Sequence, residues 1–471
     1  MFIDVPKVPL PGPRTLPWIG PKLAVLRFLL DPVAAMFELR ERYGELVALS
    51  RDDPSFVCVF GSELNRAVLS KPNLYHHLFE SPVRIPAGNP GEAFATNIIA
   101  QNGEHHRWLR RMLMGAFTKQ RLRGYAEHMV ALTRARVASW TCPGKLQTRE
   151  QMTTLAREIA MSCLFGLSMA EAGNINRDMV ELMDLVLSPA AAMFPVRLPG
   201  TPYDRYLTLG EQVDAELRAL IERRRREPPG DDVFSVLIAA RDEAGEPLTD
   251  IQLVGQATTL IISSYETTAM SLTWACLMLA TDPEIQRELG DEVSAAIGDA
   301  PVTLDDLERM PLLGWIVDET LRLFPPTPNL FFRRSSAPAT LAGHELPAGV
   351  TLILSPLVTH RNPTLFPEPR RFLPYRWRDL ELGPYDYIPF GAGVRRCLGA
   401  GFAAQATRLI LASVFQQRRV SVPAPLQVDY RATGVVVGLE RDIELELSTP
   451  AEGVRPPAKI SGNIERLVDL D

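Results

Sequence analysis

The chain has 471 residues, of which 46% are hydrophobic and 23% are charged, as in globular proteins. Its formal net charge of −6 gives no reason to expect nucleic acid or an anionic membrane as a partner. The five cysteines are widely spaced and include no Cys-x-x-Cys pair, which argues against a disulfide framework, a zinc site and an iron–sulfur cluster.

The sequence also predicts a cytoplasmic protein without a membrane anchor. No apolar run approaches the roughly 18 residues that are needed to span a bilayer. The first residues, Met1-Phe2-Ile3-Asp4, lack the basic start of a signal peptide. Scattered cysteines in an odd number fit a reducing compartment.

The N-terminal half predicts an extended start, one β-hairpin and then mostly helices. A proline-rich stretch precedes a helix at Pro32–Tyr43, and two strand-like runs at 46–50 and 56–60 flank a turn. From Ser62 onward apolar residues recur at helical spacing. The helices predicted there are 104–117, 125–140, 153–165, 177–187, 206–226 and 232–244.

The C-terminal half begins with the apolar stretch 251–280, which predicts one long buried central helix. Further helices are predicted from Pro283 and at 314–324, and short strands and turns follow Pro325. Residues 426–447 alternate as in a β-hairpin.

These elements predict a mostly α fold with minor β. We expect a single domain over residues 1–448. The polar, proline-containing end of the chain, 449–471, is expected to be a mobile tail.

The most informative segment is Phe390-Gly391-Ala392-Gly393-Val394-Arg395-Arg396-Cys397-Leu398-Gly399, directly before a predicted helix at 399–415. A thiolate here would be a soft, electron-donating ligand that suits haem iron. The glycines allow the backbone to approach a flat cofactor, and Arg395 could meet a haem propionate. A lone cysteine is also often a small buried hydrophobic residue. Cys397 by itself therefore leaves both interpretations open.

The spacing of phenylalanine, glycine, arginine, cysteine and glycine in this segment resembles the haem-binding signature of the cytochrome P450 superfamily, the haem-thiolate monooxygenases. The similarity covers nearly the whole chain, which looks like a soluble, bacterial-type member. The resemblance implies one cytochrome P450-type domain with haem b between the long central helix and the cysteine-loop helix. It implies Cys397 as the axial ligand and haem contacts from Phe390, Gly391 and Arg395.

Glu319 and Arg322 are three residues apart on a predicted helix and share a face. Alone, such a pair is usually a surface ion pair. Together with Arg376 in Pro374-Tyr375-Arg376-Trp377, they resemble the family's Glu-x-x-Arg helix and Pro-x-Arg-aromatic segment. The resemblance implies that the three form a buried structural triad, which fixes the segment that holds the cysteine loop.

The segment Ser263-Ser264-Tyr265-Glu266-Thr267-Thr268 places polar groups in the apolar central helix. Thr267 could simply bond back to a helix carbonyl. The resemblance implies instead that Glu266 and Thr267 are catalytic and deliver protons. The chain departs from the family pattern because Ser263-Ser264 replaces the usual Ala/Gly-Gly pair, and serine hydroxyls can bond helix carbonyls and alter the helix.

His106 and Arg110 are one helical turn apart in a basic segment. Such a face is often merely solvated. The segment resembles the family's helix that binds haem propionates, which implies this role for both residues. Arg333, ten residues before Gly343, has a spacing similar to that of another propionate contact of the family.

The resemblance implies a haem-dependent monooxygenase that inserts one oxygen atom of O2 into a lipophilic small molecule such as a terpene, steroid, fatty acid or polyketide. The chain has no flavin or nicotinamide fingerprint, so electrons are expected to come from separate proteins. The resemblance implies that these are a ferredoxin and its reductase, docking near Arg395 or Arg396. Two alternatives stay open, a peroxide-using haem-thiolate enzyme and a non-catalytic haem- or lipophile-binding protein. Relatives of the first kind commonly lack the acid–threonine pair, here Glu266-Thr267.

Overall fold

The structure is a computed structural model that describes residues 5–16, 19–79, 81–186, 188–228, 230–433 and 436–470. Its α-helices are α1 (Gly20–Leu30), α2 (Pro32–Tyr43), α3 (Ser62–Leu69), α4 (Gly103–Met114), α5 (Lys119–Ser139), α6 (Thr148–Phe165), α7 (Gly173–Val186), α8 (Pro189–Met193), α9 (Pro202–Arg226), α10 (Val233–Ala239), α11 (Asp250–Ser264), α12 (Glu266–Thr281), α13 (Pro283–Ile297), α14 (Pro311–Leu323), α15 (Pro356–Thr359) and α16 (Ala400–Gln417).

The strands are β1 (Leu46–Ser50), β2 (Asp53–Val59), β3 (Tyr75–His77), β4 (Gly144–Gln147), β5 (Arg333–Ser335), β6 (Ala339–Leu341), β7 (His344–Leu346), β8 (Thr351–Leu354), β9 (Arg419–Ser421), β10 (Leu426–Gln427), β11 (Tyr430–Thr433), β12 (Val436–Leu439), β13 (Glu444–Ser448) and β14 (Ile460–Ser461). About 53% of the residues are helical and 12% lie in strands, in one large domain. The prediction of a mostly α fold with minor β is therefore confirmed.

The largest sheet joins the two halves of the chain. Its strand order is β1-β2-β8-β5-β3, with β1 and β2 forming the predicted hairpin. β2 and β8 are parallel, and the other pairs are antiparallel. The register of β3 and β5 places His77 directly opposite Arg333.

The prediction of one hairpin over 426–447 is only partly correct. β11 and β12 form an antiparallel hairpin, but β10 pairs with β14, and β13 lies between β4 and β9. Alternation of apolar and polar residues shows that a strand has one buried face, but it does not identify the partner strand.

The segment after residue 448 packs on the domain over its described residues, which differs from the expected tail. Ile464, Leu467 and Val468 are buried. The buried guanidinium of Arg361 donates to the Leu467 carbonyl at 2.7 Å. The segment is mostly polar and contains prolines, so its composition did not predict that these few apolar side chains bury their surface against the core.

The prediction of a single central helix is wrong, because α11 ends at Ser264 and α12 starts at Glu266. Tyr265 between them has φ −111° and ψ −38°. Side-chain hydroxyl groups on both sides of the break donate hydrogen bonds to backbone carbonyls of α11. Ser263 Oγ donates to Thr259 O at 2.6 Å, and Thr267 Oγ1 donates to Ser263 O at 3.3 Å. Such side-chain bonds to carbonyls of the preceding turn bend helices.

The core centres on α12, whose residues 268–280 are all buried. α12 packs against α6, α14 and α16, and α16 also packs against α5. The cysteine-loop helix and the central helix are therefore neighbours. None of the helices in the described residues combines the length and apolar character needed to cross a membrane.

Candidate active site

The loop that carries Cys397 is folded by its glycines. Gly391 and Gly393 have φ +67° and +66°, a left-handed conformation that favours glycine. A side chain at Gly393 would also collide, since its Cβ would lie 2.6 Å from the Leu69 carbonyl oxygen. The Cys397 amide donates to the Phe390 carbonyl at 2.9 Å, and this bond closes the loop just before α16.

Cys397 differs chemically from the buried cysteines Cys58, Cys163 and Cys276. Burial alone raises the pKa of each of those thiols. The Cys397 side chain is solvent-accessible, yet the surrounding protein removes enough hydration to raise the pKa of its thiol as well. There the increase is opposed by the Gly399 amide and by two nearby guanidinium groups, those of Arg110 and Arg396. Such donors and charges favour a thiolate.

Four predicted haem-contact residues from three parts of the chain come together beside this loop. His106 and Arg110 are on α4, Arg333 is on β5 and Arg395 is in the cysteine loop. His106 is buried toward the cluster, whereas its neighbour His105 is exposed and stacks on Trp108.

Arg395 is turned into the protein. Its guanidinium donates to the carbonyls of Ile98, at 3.1 Å, and of Gln101, and to Asn102 Oδ1 at 2.7 Å. Arg396 is exposed. Of the two arginines proposed to face an electron donor, only Arg396 therefore points outward.

The cluster is cationic, and its arginines have no acidic partner among the described residues. In the described part of the chain, no carboxylate forms an ion pair with Arg110, Arg333 or Arg395. Burial, together with the positive charge of the neighbouring Arg395, lowers the pKa of Arg333 to about 9. Burial and the surrounding guanidinium groups lower the pKa of His106 to about 4. The arrangement would be stabilised by an anion.

Sequence reasoning missed His77, which belongs to the same cluster. Its ring is buried, and its Nδ1 has no hydrogen-bond partner among the described residues. Burial and, to a smaller extent, the positive charge of Arg333 lower its pKa to about 2. Its backbone is held by Asn102, which exchanges hydrogen bonds of 2.9 Å with the His77 amide and carbonyl. No local pattern marks His77, because its position depends on pairing with a strand more than 250 residues later.

His77, His106, Arg333 and Arg395 line a cavity of about 30 Å³. Asn102 also lines this cavity, and it forms hydrogen bonds with both Arg395 and His77. Asn102, directly before α4, is therefore a second residue that sequence reasoning missed.

Glu319, Arg322 and Arg376 meet as a buried ion-pair cluster. Arg322 binds both Glu319 oxygens at 2.8 Å, and Arg376 Nε donates to Glu319 Oε1 at 3.1 Å. The side chains of Glu319 and Arg322 are 0% exposed. Two further donors reach the carboxylate at 2.9 Å, Trp377 Nε1 and the Leu373 amide. Sequence reasoning did not assign this role to Trp377.

Arg322 also ties the helix α14 to the segment that precedes the cysteine loop. Its guanidinium donates to the carbonyls of Pro369 at 2.7 Å, Arg371 at 3.0 Å and His360 at 3.1 Å. His360 Nε2 in turn accepts the Ile388 amide at 2.8 Å, two residues before Phe390. The buried cluster is therefore connected to the start of the loop by a chain of hydrogen bonds.

Glu266 and Thr267 start α12 beside the helix break. The Glu266 side chain is in contact with solvent, but partial burial raises its pKa, and the carboxylate of Asp184 raises it further. Arg149 opposes this increase. The Thr267 hydroxyl bonds back to Ser263 O at 3.3 Å, the alternative that the sequence left open, and this long bond leaves its oxygen able to accept another donor.

Comparison with protein families gives a match to the description Cytochrome P450 over residues 10–441. The chain belongs to the cytochrome P450 family. Its similarity to a cytochrome P450 named cyclooctat-9-en-7-ol 5-monooxygenase of Streptomyces melanosporofaciens is 29% identity, over 88% of this chain and 90% of that protein. Cyclooctatin synthase of the same organism is 30% identical over 86% of this chain and 88% of that protein.

A further relative is pentalenene oxygenase of Streptomyces avermitilis, with 28% identity over 94% of this chain and 98% of that protein. Among solved structures, retinoic acid-bound cyanobacterial CYP120A1 matches with a TM-score of 0.81 and 23% identity, over 95% of this chain and all of that chain. The last comparison supports the fold. The named relatives support the activity: this cytochrome P450 is a monooxygenase, an oxidoreductase that uses haem with a cysteine thiolate as axial ligand.

The residues of the site fit haem. Haem presents two propionate carboxylates, and the guanidinium groups of buried Arg333 and half-buried Arg110 and Arg395 have no carboxylate partner among the described residues. The ring of His106 lies beside them. His77 adds a buried ring whose Nδ1 has no hydrogen-bond partner in the part of the chain that the structure describes. The thiol of Cys397 is accessible in a loop whose amide and guanidinium groups favour the anionic form.

Proposed function

We propose that Cys397 is the axial ligand and that Arg110, Arg333, Arg395 and His106 hold the haem propionates. The observation that carries this proposal is the accessible thiol beside one buried and two half-buried guanidinium groups that have no carboxylate partner in the described chain. Phe390 and Gly391 would contact the haem from the loop. Charge-assisted hydrogen bonds from arginine to the propionates would relieve the repulsion within the cluster.

Haem bound in this way supplies the activation of O2 and the transfer of one oxygen atom. The protein's first contribution to the reaction comes from the loop that carries Cys397. The Gly399 amide and the nearby guanidinium groups would hold Cys397 as a thiolate and tune its electron donation. The cluster of Glu319, Arg322 and Arg376 would keep the preceding segment rigid, so that the sulfur stays in one position.

Glu266 and Thr267 are proposed to move protons in the site. A carboxyl group with a raised pKa is a suitable proton donor near neutral pH. Glu266 lies between solvent and the helix break, and the Thr267 hydroxyl both accepts and donates, so together they would form a proton path.

For the substrate we propose a lipophilic, terpene-like molecule that is hydroxylated or epoxidised. The support comes from the relatives, whose names give oxygenation of cyclooctat-9-en-7-ol, formation of cyclooctatin and oxygenation of pentalenene. Three such names among distant relatives favour this class over fatty acids and steroids.

Electrons are proposed to come from a separate ferredoxin and its reductase. Arg396 is exposed next to Cys397, and a basic residue at this place would attract an acidic electron carrier. Arg395 is excluded from the docking surface by its inward hydrogen bonds.

The test of the cofactor assignment is the carbon monoxide-difference spectrum of the reduced, haem-replete protein. We expect the strongly red-shifted Soret band of thiolate-ligated haem. The band should be lost in Cys397→Ser and kept in the control Cys142→Ser, which alters a partly exposed cysteine. An unchanged band in Cys397→Ser would remove Cys397 as ligand.

The reaction is tested by turnover of terpene hydrocarbons and alcohols with a surrogate ferredoxin system and ¹⁸O-labelled dioxygen. One labelled oxygen atom per product, dependent on the electron donor, is the expected result. Product formed only with added peroxide would overturn the proposed electron path in favour of a peroxide-using enzyme.

A further inference from the structure

The helix α1 is apolar on two opposite faces, and only one of them is covered. Val25 and Phe28 are buried where α1 packs against β1 and α2. On the other side, Leu26 and Leu30 are 51% and 76% exposed. A helix that is apolar all round is normally enclosed by the protein, so the second face requires an explanation.

The exposed side chains form a continuous stripe. Ile19, Leu23, Leu26 and Leu30 are separated by four, three and four residues, which places them on one face of a helix. Ile19 and Leu23 are 68% and 50% exposed. Four large aliphatic side chains in a row are more than the isolated exposed apolar residues that are normal on protein surfaces.

Two basic side chains flank this stripe. By helical spacing, Lys22 lies on one side of it and Arg27 on the other. Both are exposed, and neither forms an ion pair with any described residue. Residues 5–30 contain Lys7 and Arg14 as well, and no aspartate or glutamate, in a chain whose net charge is −6. The local charge is therefore opposite to that of the whole protein.

We propose that Ile19, Lys22, Leu23, Leu26, Arg27 and Leu30 form a lipid-binding face with which α1 lies on an anionic membrane surface. Aliphatic side chains would enter the boundary between headgroups and acyl chains, while the two bases contact lipid phosphates. A helix of 11 residues is about 16 Å long, roughly half the thickness of the hydrocarbon core, so it lies in the surface plane.

The charges favour a lipid surface over a second copy of the chain. In a two-fold dimer through this face, Lys22 and Arg27 of one copy would approach those of the other, with no acidic residue in the segment to compensate. An anionic bilayer provides negative charge at both flanks of the stripe. The whole-chain charge of −6 conceals this local pattern, which is why composition gave no reason to expect a membrane.

The proposal is tested with the full-length holoenzyme by co-sedimentation with vesicles of phosphatidylglycerol and phosphatidylcholine, and of phosphatidylcholine alone. We expect binding to the anionic vesicles that weakens with added salt. Leu26→Ser/Leu30→Ser and Lys22→Glu/Arg27→Glu should each weaken it by about tenfold or more, the first by loss of apolar burial and the second by charge reversal.

Matched controls alter the same residue types elsewhere. Met114→Ser/Ile251→Ser removes two exposed apolar side chains, and Lys71→Glu/Lys459→Glu reverses two exposed bases that are in no ion pair with described residues. Both controls should bind vesicles like the unaltered protein, apart from a small uniform charge effect. All four variants should keep the thiolate-type carbon monoxide spectrum, which reports a folded haem site.

Equal binding by the α1 variants and the controls would overturn the proposal, as would equal binding to neutral and anionic vesicles. Concentration-dependent dimerisation without lipid, abolished by Leu26→Ser/Leu30→Ser, would also overturn it and assign the face to a second copy of the chain. Sedimentation velocity in the absence of vesicles makes that measurement.

Discussion

His77 and Arg333 face each other on the paired antiparallel strands β3 and β5, and both side chains are buried. Two groups that can carry positive charge are thus held side by side, and burial together with Arg333 keeps His77 neutral by lowering its pKa to about 2. Arg333 donates only to the neighbouring carbonyls of Phe331 and Phe332 in the described chain. The pair gains stability when a negative group approaches it.

We therefore expect Arg333→Met to have opposite effects on the haem-bound and haem-free protein. Loss of a charge-assisted hydrogen bond, worth about 1.5–3 kcal/mol, should speed haem release by roughly 10–100-fold. The haem-free protein should keep its Tm or gain a few degrees, because a buried cation without a carboxylate partner is removed. Haem transfer to apomyoglobin and thermal unfolding of both forms are the measurements. A lower Tm of the haem-free variant would contradict this account.

The adjacent histidines of α4 provide a matched pair. His106 is buried in the cationic cluster, whereas His105 is exposed and stacks on Trp108. His106→Ala should release haem at least several-fold faster, and His105→Ala should behave like the unaltered protein. The haem-to-protein ratio after gel filtration and the rate of haem transfer test this. Equal effects of the two substitutions would mean that α4 contributes through its stability alone.

The buried carboxylate of Glu319 should be far more important for stability than an exposed one. Glu319→Ala leaves Arg322 and Arg376 without their shared partner, which costs about 3–5 kcal/mol. Asp291→Ala, which removes the exposed ion pair with Arg287, should cost no more than about 0.5 kcal/mol. Urea unfolding and haem content of the two variants make the comparison. Similar losses of stability would show that the buried cluster does not hold the segment before the cysteine loop.

The sequence was sufficient wherever a local pattern determines the structure. Helix α2 has the predicted bounds Pro32–Tyr43, and the β1–β2 hairpin forms at the predicted turn. The triad of Glu319, Arg322 and Arg376 was implied by the resemblance of two short segments to the family's motifs, and the three side chains do meet. In each case neighbouring residues carry the signal.

The sequence was insufficient where distant segments decide. His77 and Asn102 join the site through the register of two strands and through hydrogen bonds that no local pattern announces. Apolar residues continue across Tyr265, so the pattern does not show the helix break, although the hydroxyls of Ser263-Ser264 are able to distort the helix. The buried end of the chain was missed because its four buried apolar residues, Ile460, Ile464, Leu467 and Val468, are too few to form a pattern in a polar segment.

Substitution of Thr267 and of its neighbour Thr268 distinguishes a role in proton transfer from a role in helix structure. Both hydroxyls bond back to carbonyls of the preceding turn, at 3.3 and 3.4 Å, but Thr268 is buried and Thr267 is partly accessible. Thr267→Ala should raise the hydrogen peroxide formed per electron donor oxidised several-fold, without loss of haem. Thr268→Ala should leave this ratio unchanged. A matching increase in both variants would assign the effect to the helix and remove Thr267 from the proton path.

The dependence of coupling on pH should follow the protonation of Glu266. Because burial and Asp184 raise the pKa of this carboxyl, it stays protonated to a higher pH than an ordinary glutamate, and coupling should fall as pH rises through that pKa. Asp184→Asn removes a negative charge, which makes deprotonation easier, so the fall should move to lower pH. Arg149→Gln removes the opposing positive charge and should move it to higher pH.

Peroxide release measured across the pH range in the two variants tests the sign of each shift. Shifts in opposite directions require a group that both side chains influence, and Glu266 meets that requirement. If neither variant moved the midpoint, or if Glu266→Gln kept the pH dependence of the unaltered protein, another group would control proton delivery. An effect on haem retention alone would instead indicate that Asp184 and Arg149 act on the fold around the helix break.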